Sequence, residues 1–163
     1  MRNVAVAADP TGSGVLLEYD NALYISRDWG LTVQQLNPPA SVNTIASDPS
    51  HPGWIYAVAS RQLLLSTDYG NTWTVKSSVP PSGSVLPQGE LTIDPGNPNR
   101  LAAITIQGVI TSADGGVTWT LPAASPVSLD DPFVFVSERC NPSGGILAAG
   151  TFLSGPRSEI AYS

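Results

Sequence analysis

Apolar residues in this chain come in short bursts separated by polar turns. "VAVAA", "VNTIA", "ELTI" and "FVFV" each precede an Asp-Pro or Asn-Pro step, and "GVLLEY", "WIYAVA", "RLAAIT" and "GILAAG" follow it. A third set, "ALYIS", "QLLLS", "GVITS" and "EIAYS", ends in serine, and "LTVQQL", "TWTVKS" and "TWTLP" come next. Runs of about four to eight residues rich in Val, Ile, Leu, Tyr and Thr, bounded by Gly, Pro, Asp and Asn, predict β-strands. No segment carries a helical apolar stripe longer than about two turns. The first strand of each set is the most continuously apolar or β-branched, which predicts cover on both faces.

The bursts repeat. Ser-x-Asp-x-Gly-x-Thr occurs at Ser26, Asp28, Gly30 and Thr32, at Ser66, Asp68, Gly70 and Thr72, and at Ser112, Asp114, Gly116 and Thr118. Each copy follows an Asp-Pro step (Asp9, Asp48, Asp94) by 17 or 18 residues, and Asn141-Pro142 opens a fourth unit. The period is 40 to 51 residues. Four short antiparallel strands in about 40 to 50 residues is the arithmetic of one propeller blade. The expected blades are residues 3–40, 41–80, 88–123 and 131–163, the last without its outer strand.

Ser-x-Asp-x-Gly-x-Thr-Trp resembles the Asp-box, or bacterial neuraminidase repeat. Together with the "DPxxP" turns at Asp48 and Asp94, the pattern is most similar to xyloglucanase-type glycoside hydrolases, sortilin-type receptors and the photosystem II assembly factor. The resemblance covers essentially the whole chain. It implies an all-β fold of four-stranded propeller blades, three complete and about three quarters of a fourth, with each box between the third and fourth strands. It implies no single activity, because those relatives include hydrolases, receptors and assembly factors. The first box departs from the pattern, with Val33 where Trp73 and Trp119 stand in the others.

The box chemistry suits a hairpin turn. An Asp side chain accepts hydrogen bonds from nearby N–H groups, Gly tolerates positive φ, and Ser and Thr hydroxyls satisfy the remaining groups. Trp73 and Trp119 are expected to cover the hairpin base, each burying ~150–250 Å². An active site needs one such constellation, and this chain has three at equivalent positions, so Asp68 reads as a stability residue rather than a catalytic one. Calcium needs about six to eight oxygens with several carboxylates. Each box supplies one, so no metal and no cofactor are expected.

Charge narrows the partners. The chain has a formal net charge of −6 and only 12% charged residues. Lys76 is its one lysine, and Arg2, Arg27, Arg61, Arg100, Arg139 and Arg157 form no basic run. Phosphate-backbone binding needs clustered Lys and Arg, so nucleic acid is not an expected partner. No stretch approaches the ~20 apolar residues of a membrane helix. The single Cys140 excludes an internal disulfide. Five apolar residues before Asp9 are too few for a signal peptide, so an export signal would lie outside this chain.

Glycoside hydrolysis needs two carboxylates about 5–9 Å apart. Outside the boxes and turns the candidates are Glu18, Asp20, Glu90, Asp130, Asp131, Glu138 and Glu159. Asp130 and Asp131 are adjacent in a connection, and Glu18 and Asp20 border a hairpin turn at Asn21. A sialidase would also need an arginine triad, a Tyr-Glu nucleophile pair and an Arg-Ile-Pro motif ahead of the first box, and that motif is absent. His51 has no second His or Cys nearby and reads as a turn residue. The fourth unit is extended at "TFLSGPRSE", residues 151–159. Phe152 and Arg157, with Asp130 and Asp131, are therefore the candidates for a binding loop.

The leading expectation is a non-enzymatic module that recognises a protein or a carbohydrate, secreted or at the cell surface. The alternative is part of a secreted xyloglucanase-like hydrolase, less a sialidase, with its acid and base partly outside this chain. Fewer than four blades do not close a ring. The expected resolutions are a longer propeller, a second copy of the chain, or a different chain.

Overall fold

The computed structural model describes residues 4–8, 15–19, 22–78, 87–105, 108–121, 147–150 and 159–162, with side chains placed in 22–78, 91–103 and 109–121. All regular structure in them is β, and the chain divides into two compact units, Met1–Val79 and Pro80–Ser163.

The first unit holds two four-stranded antiparallel meanders. One runs β1 (Val4–Ala8), β2 (Val15–Tyr19), β3 (Ala22–Ser26) and β4 (Gln34–Leu36), and the other β5 (Val42–Ser47), β6 (Ile55–Ala59), β7 (Gln62–Ser66) and β8 (Thr74–Ser78). Spatial order follows chain order, so each connection is a hairpin. Ser60 and Arg61 close β6 onto β7 with φ of 47° and 67°. Two positive φ values in a two-residue loop are the twist that matches flanking strands. In β5 the register slips between Val42 and Thr44. The extra residue, Asn43, is exposed.

The core of this unit lies between the two sheets. Leu23, Ile25 and Leu36 of the first sheet pack with Val42, Ile45, Ile55, Ala57, Ala59 and Leu64 of the second. Strand β6 is buried at all five positions. β5 is not, because the bulge turns Asn43 outward. Continuous burial was expected for the first strand of each blade, and in this sheet it falls on the second. β6 has a hydrogen-bonded neighbour on either side, and both its faces are covered.

The second unit contains β9 (Pro87–Ile93), β10 (Leu101–Thr105) and β11 (Gly108–Ser112) as one antiparallel sheet, and β12 (Leu147–Gly150) with β13 (Glu159–Tyr162) as a pair. Leu91, Leu101, Ala103 and Ile110 are buried at positions equivalent to Ile45, Ile55, Ala57 and Leu64. In the described part of the expected fourth strand, "TWTLP", Thr120 bridges Thr111. The strand expected at "FVFV" lies outside the described residues.

Candidate functional site

The residues with the densest polar chemistry are the three Ser-x-Asp-x-Gly-x-Thr stretches. Ser26 and Ser66 end β3 and β7, and Asp28 and Asp68 sit in the turns to β4 and β8. Ser112 ends β11. In the second copy the Ser66 hydroxyl donates to Asp68 Oδ1 at 2.8 Å and accepts the Asp68 N–H at 3.3 Å and the Gly70 N–H at 2.8 Å. That uses the whole capacity of a hydroxyl, one donor and two acceptor positions. The carboxylate of Asp68 accepts the Thr72 N–H on Oδ1 at 2.8 Å and the Thr72 hydroxyl on Oδ2 at 2.6 Å.

The other copies repeat this pattern. Ser26 accepts from Gly30 N–H at 2.6 Å, and Ser112 from Gly116 N–H at 2.9 Å. The Thr32 and Thr118 hydroxyls donate to Asp28 Oδ2 and Asp114 Oδ2 at 2.7 and 2.5 Å. All three serines are buried, while each carboxylate is half-buried or exposed. The serine is therefore the hub of the turn, and the aspartate locks the strand that leaves it.

The residue before the box glycine, variable in sequence, has a fixed conformation. Trp29, Tyr69 and Gly115 have φ of 56°, 61° and 71°, ahead of Gly30, Gly70 and Gly116 at 89°, 83° and 85°. Gly115 was the sequence signal for this left-handed position. Two of these residues bind the preceding Asp-Pro turn: Tyr69 N–H donates to Gly53 O at 3.0 Å and Gly115 N–H to Asn99 O at 2.8 Å. Gly53 and Asn99 each lie five residues after the turn aspartate. A box and its Asp-Pro turn thus form one two-loop unit.

The box tryptophans and the residue in their place differ in burial. Trp73 packs against the core, and its indole N–H donates to Gly70 O at 3.0 Å. Trp119 is buried. In the first box Val33 stands in their place and is 58% exposed, and Trp29 is 66% exposed. Trp29, Leu31 and Val33 make an apolar tip on that hairpin.

The Asp-Pro turns carry a second carboxylate system. Asp48 is fully buried and accepts the Ser50 and His51 N–H groups on Oδ1 at 2.8 and 3.2 Å. His51 Nδ1 donates to Asp48 Oδ2 at 3.0 Å, and the imidazole stacks on Trp54 at 4.4 Å. Trp54, expected within a strand, instead precedes β6 and lies under His51. In the equivalent turn Asp94 accepts the Gly96 N–H at 2.7 Å, and Arg100 Nη1 reaches Asp94 Oδ2 at 3.8 Å. Each turn thus supplies a nitrogen to the second oxygen, from His51 in one and Arg100 in the other. Sequence reading gave His51 no partner because the pairing lies within the turn. Burial pushes the Tyr56 phenol up to about 12, with the Asp48 charge adding to it. Across boxes, the Arg27 guanidinium lies over the Tyr69 ring at 5.1 Å.

The electrostatics of the box carboxylates follow from their donors. The Thr118 hydroxyl and N–H, then the Ser112 hydroxyl, hold Asp114 down to about 2. Asp28 and Asp68 are lowered too, chiefly by the Thr32 and Thr72 hydroxyls. Hydrogen bonds to the charged form favour ionisation. A carboxylate so held is an acceptor, unsuited to donating a proton near neutral pH. Its oxygens are also occupied by hydroxyl and amide donors, which a calcium ion would have to displace.

These shifts predict acid behaviour. Because the folded values are depressed, the stabilisation is complete above the unfolded carboxylate value, near 3.8, and is lost as pH falls through the folded value. Tryptophan fluorescence against denaturant should show stability flat from neutral pH to about 5, then falling between about 4 and 2. Asp114→Asn should flatten that decline. An equally steep decline in the variant would sink the assignment.

Asp130, Asp131, Phe152 and Arg157 are outside the described residues, as are Asp20 and Glu138. Glu18, Glu90 and Glu159 fall on strands β2, β9 and β13, outside the regions with described side chains. Among residues with described side chains, the box and turn aspartates are held by donors of their own loops.

No protein-family model matches the sequence, and no curated protein matches it. Solved structures do. The chain is similar to the GH74 enzyme of Niastella koreensis, at 22% identity and a TM-score of 0.64, over 91% of this chain and 21% of that one. It is similar to an ancestral GH74 enzyme at 18% identity and a TM-score of 0.65, over 98% and 25%. YCF48 bound to a D1 peptide matches at 18% identity and a TM-score of 0.63, over 98% and 55%. The chain therefore spans between about a fifth and just over half the length of these proteins. At such identities the likeness concerns fold alone: the chain is an all-β protein built of β-propeller blades.

Proposed function

We propose that this chain is a set of Asp-box propeller blades acting as a non-enzymatic recognition scaffold, with a protein or a glycan as ligand. One observation carries the reading. The three box carboxylates occupy equivalent turns, and each accepts hydrogen bonds from the serine and threonine of its own box. Groups spent on closing a hairpin are structural, and recognition then falls to the connecting loops. Phe152 and Arg157, with Asp130 and Asp131, are the loop residues assigned to ligand contact.

A second reading, a part of a xyloglucanase-like hydrolase, is favoured by the likeness to GH74 enzymes. Incubating the protein with xyloglucan, mixed-linkage β-glucan and sialosides separates the two. The scaffold reading expects no released sugar. Hydrolysis that disappears when a single carboxylate outside the boxes is changed to its amide would replace it with the hydrolase. A glycan array and a peptide array, probed with the same protein, then divide carbohydrate from protein ligands.

A further inference from the structure

The end of the second sheet away from its box departs from regular geometry at three neighbouring places. Strand β7 runs from Gln62 at a turn to Ser66 at the box, so the two lie roughly 13 Å apart. The turn is Ser60–Arg61, with φ of 47° and 67°. A two-residue loop with both φ values positive favours Asn, Asp and Gly, and this one holds Ser and Arg. Ala59, just before the turn, pairs with Val42, and the bulged Asn43 follows Val42. On the other side the register slips between Leu63 and Leu64, which leaves Lys76 as the extra residue of β8.

These departures have chemical content. Bulges next to sites re-aim a side chain, and non-glycine residues in the left-handed region collect at ligand clamps. Asn43, Ser60 and Arg61 are all exposed, and they bring an amide, a hydroxyl and a guanidinium to one corner of the sheet. Lys76 Nζ is turned to the Tyr56 ring at 5.7 Å, and Arg61 is the cation at the turn. Among the described residues of this unit the exposed large apolar side chains are Trp29, Leu31, Val33 and Val75, which lie in a box or just after one. Protein contacts depend on aromatic and apolar anchors, and the corner at Asn43 presents polar groups instead. Polar groups with one planar cation suit a small acidic group on a sugar.

We infer that Asn43, Ser60 and Arg61 form a subsite for the carboxylate of a uronic-acid glycan. The guanidinium donates in a planar fork that matches two carboxylate oxygens, and the amide and hydroxyl supply hydrogen bonds to the sugar hydroxyls. In a chain of net charge −6, a carboxylate needs a local cation to be held. The inference rests on the recognition-scaffold reading and gives its ligand a chemistry.

The test is titration calorimetry of the intact chain with oligogalacturonate, with its methyl ester and with a neutral β-glucan oligomer of the same length. The acid is expected to bind, and the ester and the glucan about 10-fold more weakly or not at all. Arg61→Gln should weaken the acid by the same factor and leave the other two as they were. Giving the turn the pair it prefers, Ser60→Asn with Arg61→Gly, should lose the same binding while the urea midpoint holds or rises. A lower midpoint would assign Arg61 to stability and overturn the inference. So would an acid that fails to bind, or one whose affinity Arg61→Gln leaves unchanged. A different glycan or peptide captured on the arrays would in those cases leave the scaffold reading standing. Sugar released from any of the oligomers overturns the scaffold reading, and the inference with it.

Discussion

Gly70→Ala is expected to destabilise the first unit by about 2–5 kcal/mol, and Gly30→Ala, at the same place in the motif, by about 1–2 kcal/mol. Both glycines have positive φ, 83° and 89°. An L side chain in that left-handed region costs roughly 1–2 kcal/mol. What differs is the space around them. A methyl group on Gly70 would run into Leu36, which is buried in the core between the two sheets, whereas nothing lies within 4 Å of one on Gly30. Displacing a packed core side chain adds roughly 1–3 kcal/mol. Urea unfolding at constant slope measures both variants. Equal midpoint shifts at the two positions would show that the Gly70–Leu36 contact adds nothing.

The second large effect is expected at Ser66, which carries no charge. Ser66→Ala removes the acceptor of two backbone N–H groups, Asp68 and Gly70, and the hydroxyl that donates to Asp68 Oδ1. Ser66 is 1% exposed, so water has little access to replace it. An unsatisfied buried group costs roughly 1–3 kcal/mol, and a loss in that range is expected in the same urea measurement. Asp68→Asn should cost less than Ser66→Ala, because Asp68 is only half-buried and water can serve its donors. A reversed order would return the central role to the aspartate. The sequence reading put Asp68 first as the stability residue and left the remaining turn groups to the Ser and Thr hydroxyls. Burial reverses that ranking.

Much of the fold was legible because it is periodic. Apolar runs alternate with turn chemistry four times, and strands β3, β7 and β11 end at the serines that the repeat marks. The hairpin role of Asp28, Asp68 and Asp114 was legible for the same reason, as one-off chemistry does not recur in three equivalent turns. The left-handed conformation of Trp29 and Tyr69 was harder to see, because only the third copy writes that position as glycine. The pairing of His51 with Asp48 escaped reading, since three residues of separation inside a turn carry no periodic signal.

By itself the sequence determined that the chain is all-β, built of repeated meanders whose third hairpin connection is closed by Ser, Asp and Thr. Those properties depend on local spacing, on strand and turn preferences of neighbouring residues, and on the donors and acceptors within one loop. Only the tertiary structure decided which members of the repeat matter most. Gly70 differs from Gly30 because Leu36 lies against one and open space against the other. Ser66 outranks Asp68 because the sheet buries the hydroxyl and leaves the carboxylate near water. β6 rather than β5 is buried throughout because a bulge turns Asn43 outward. Such differences arise where segments far apart in the chain meet, and a local pattern of apolar and polar residues does not encode them.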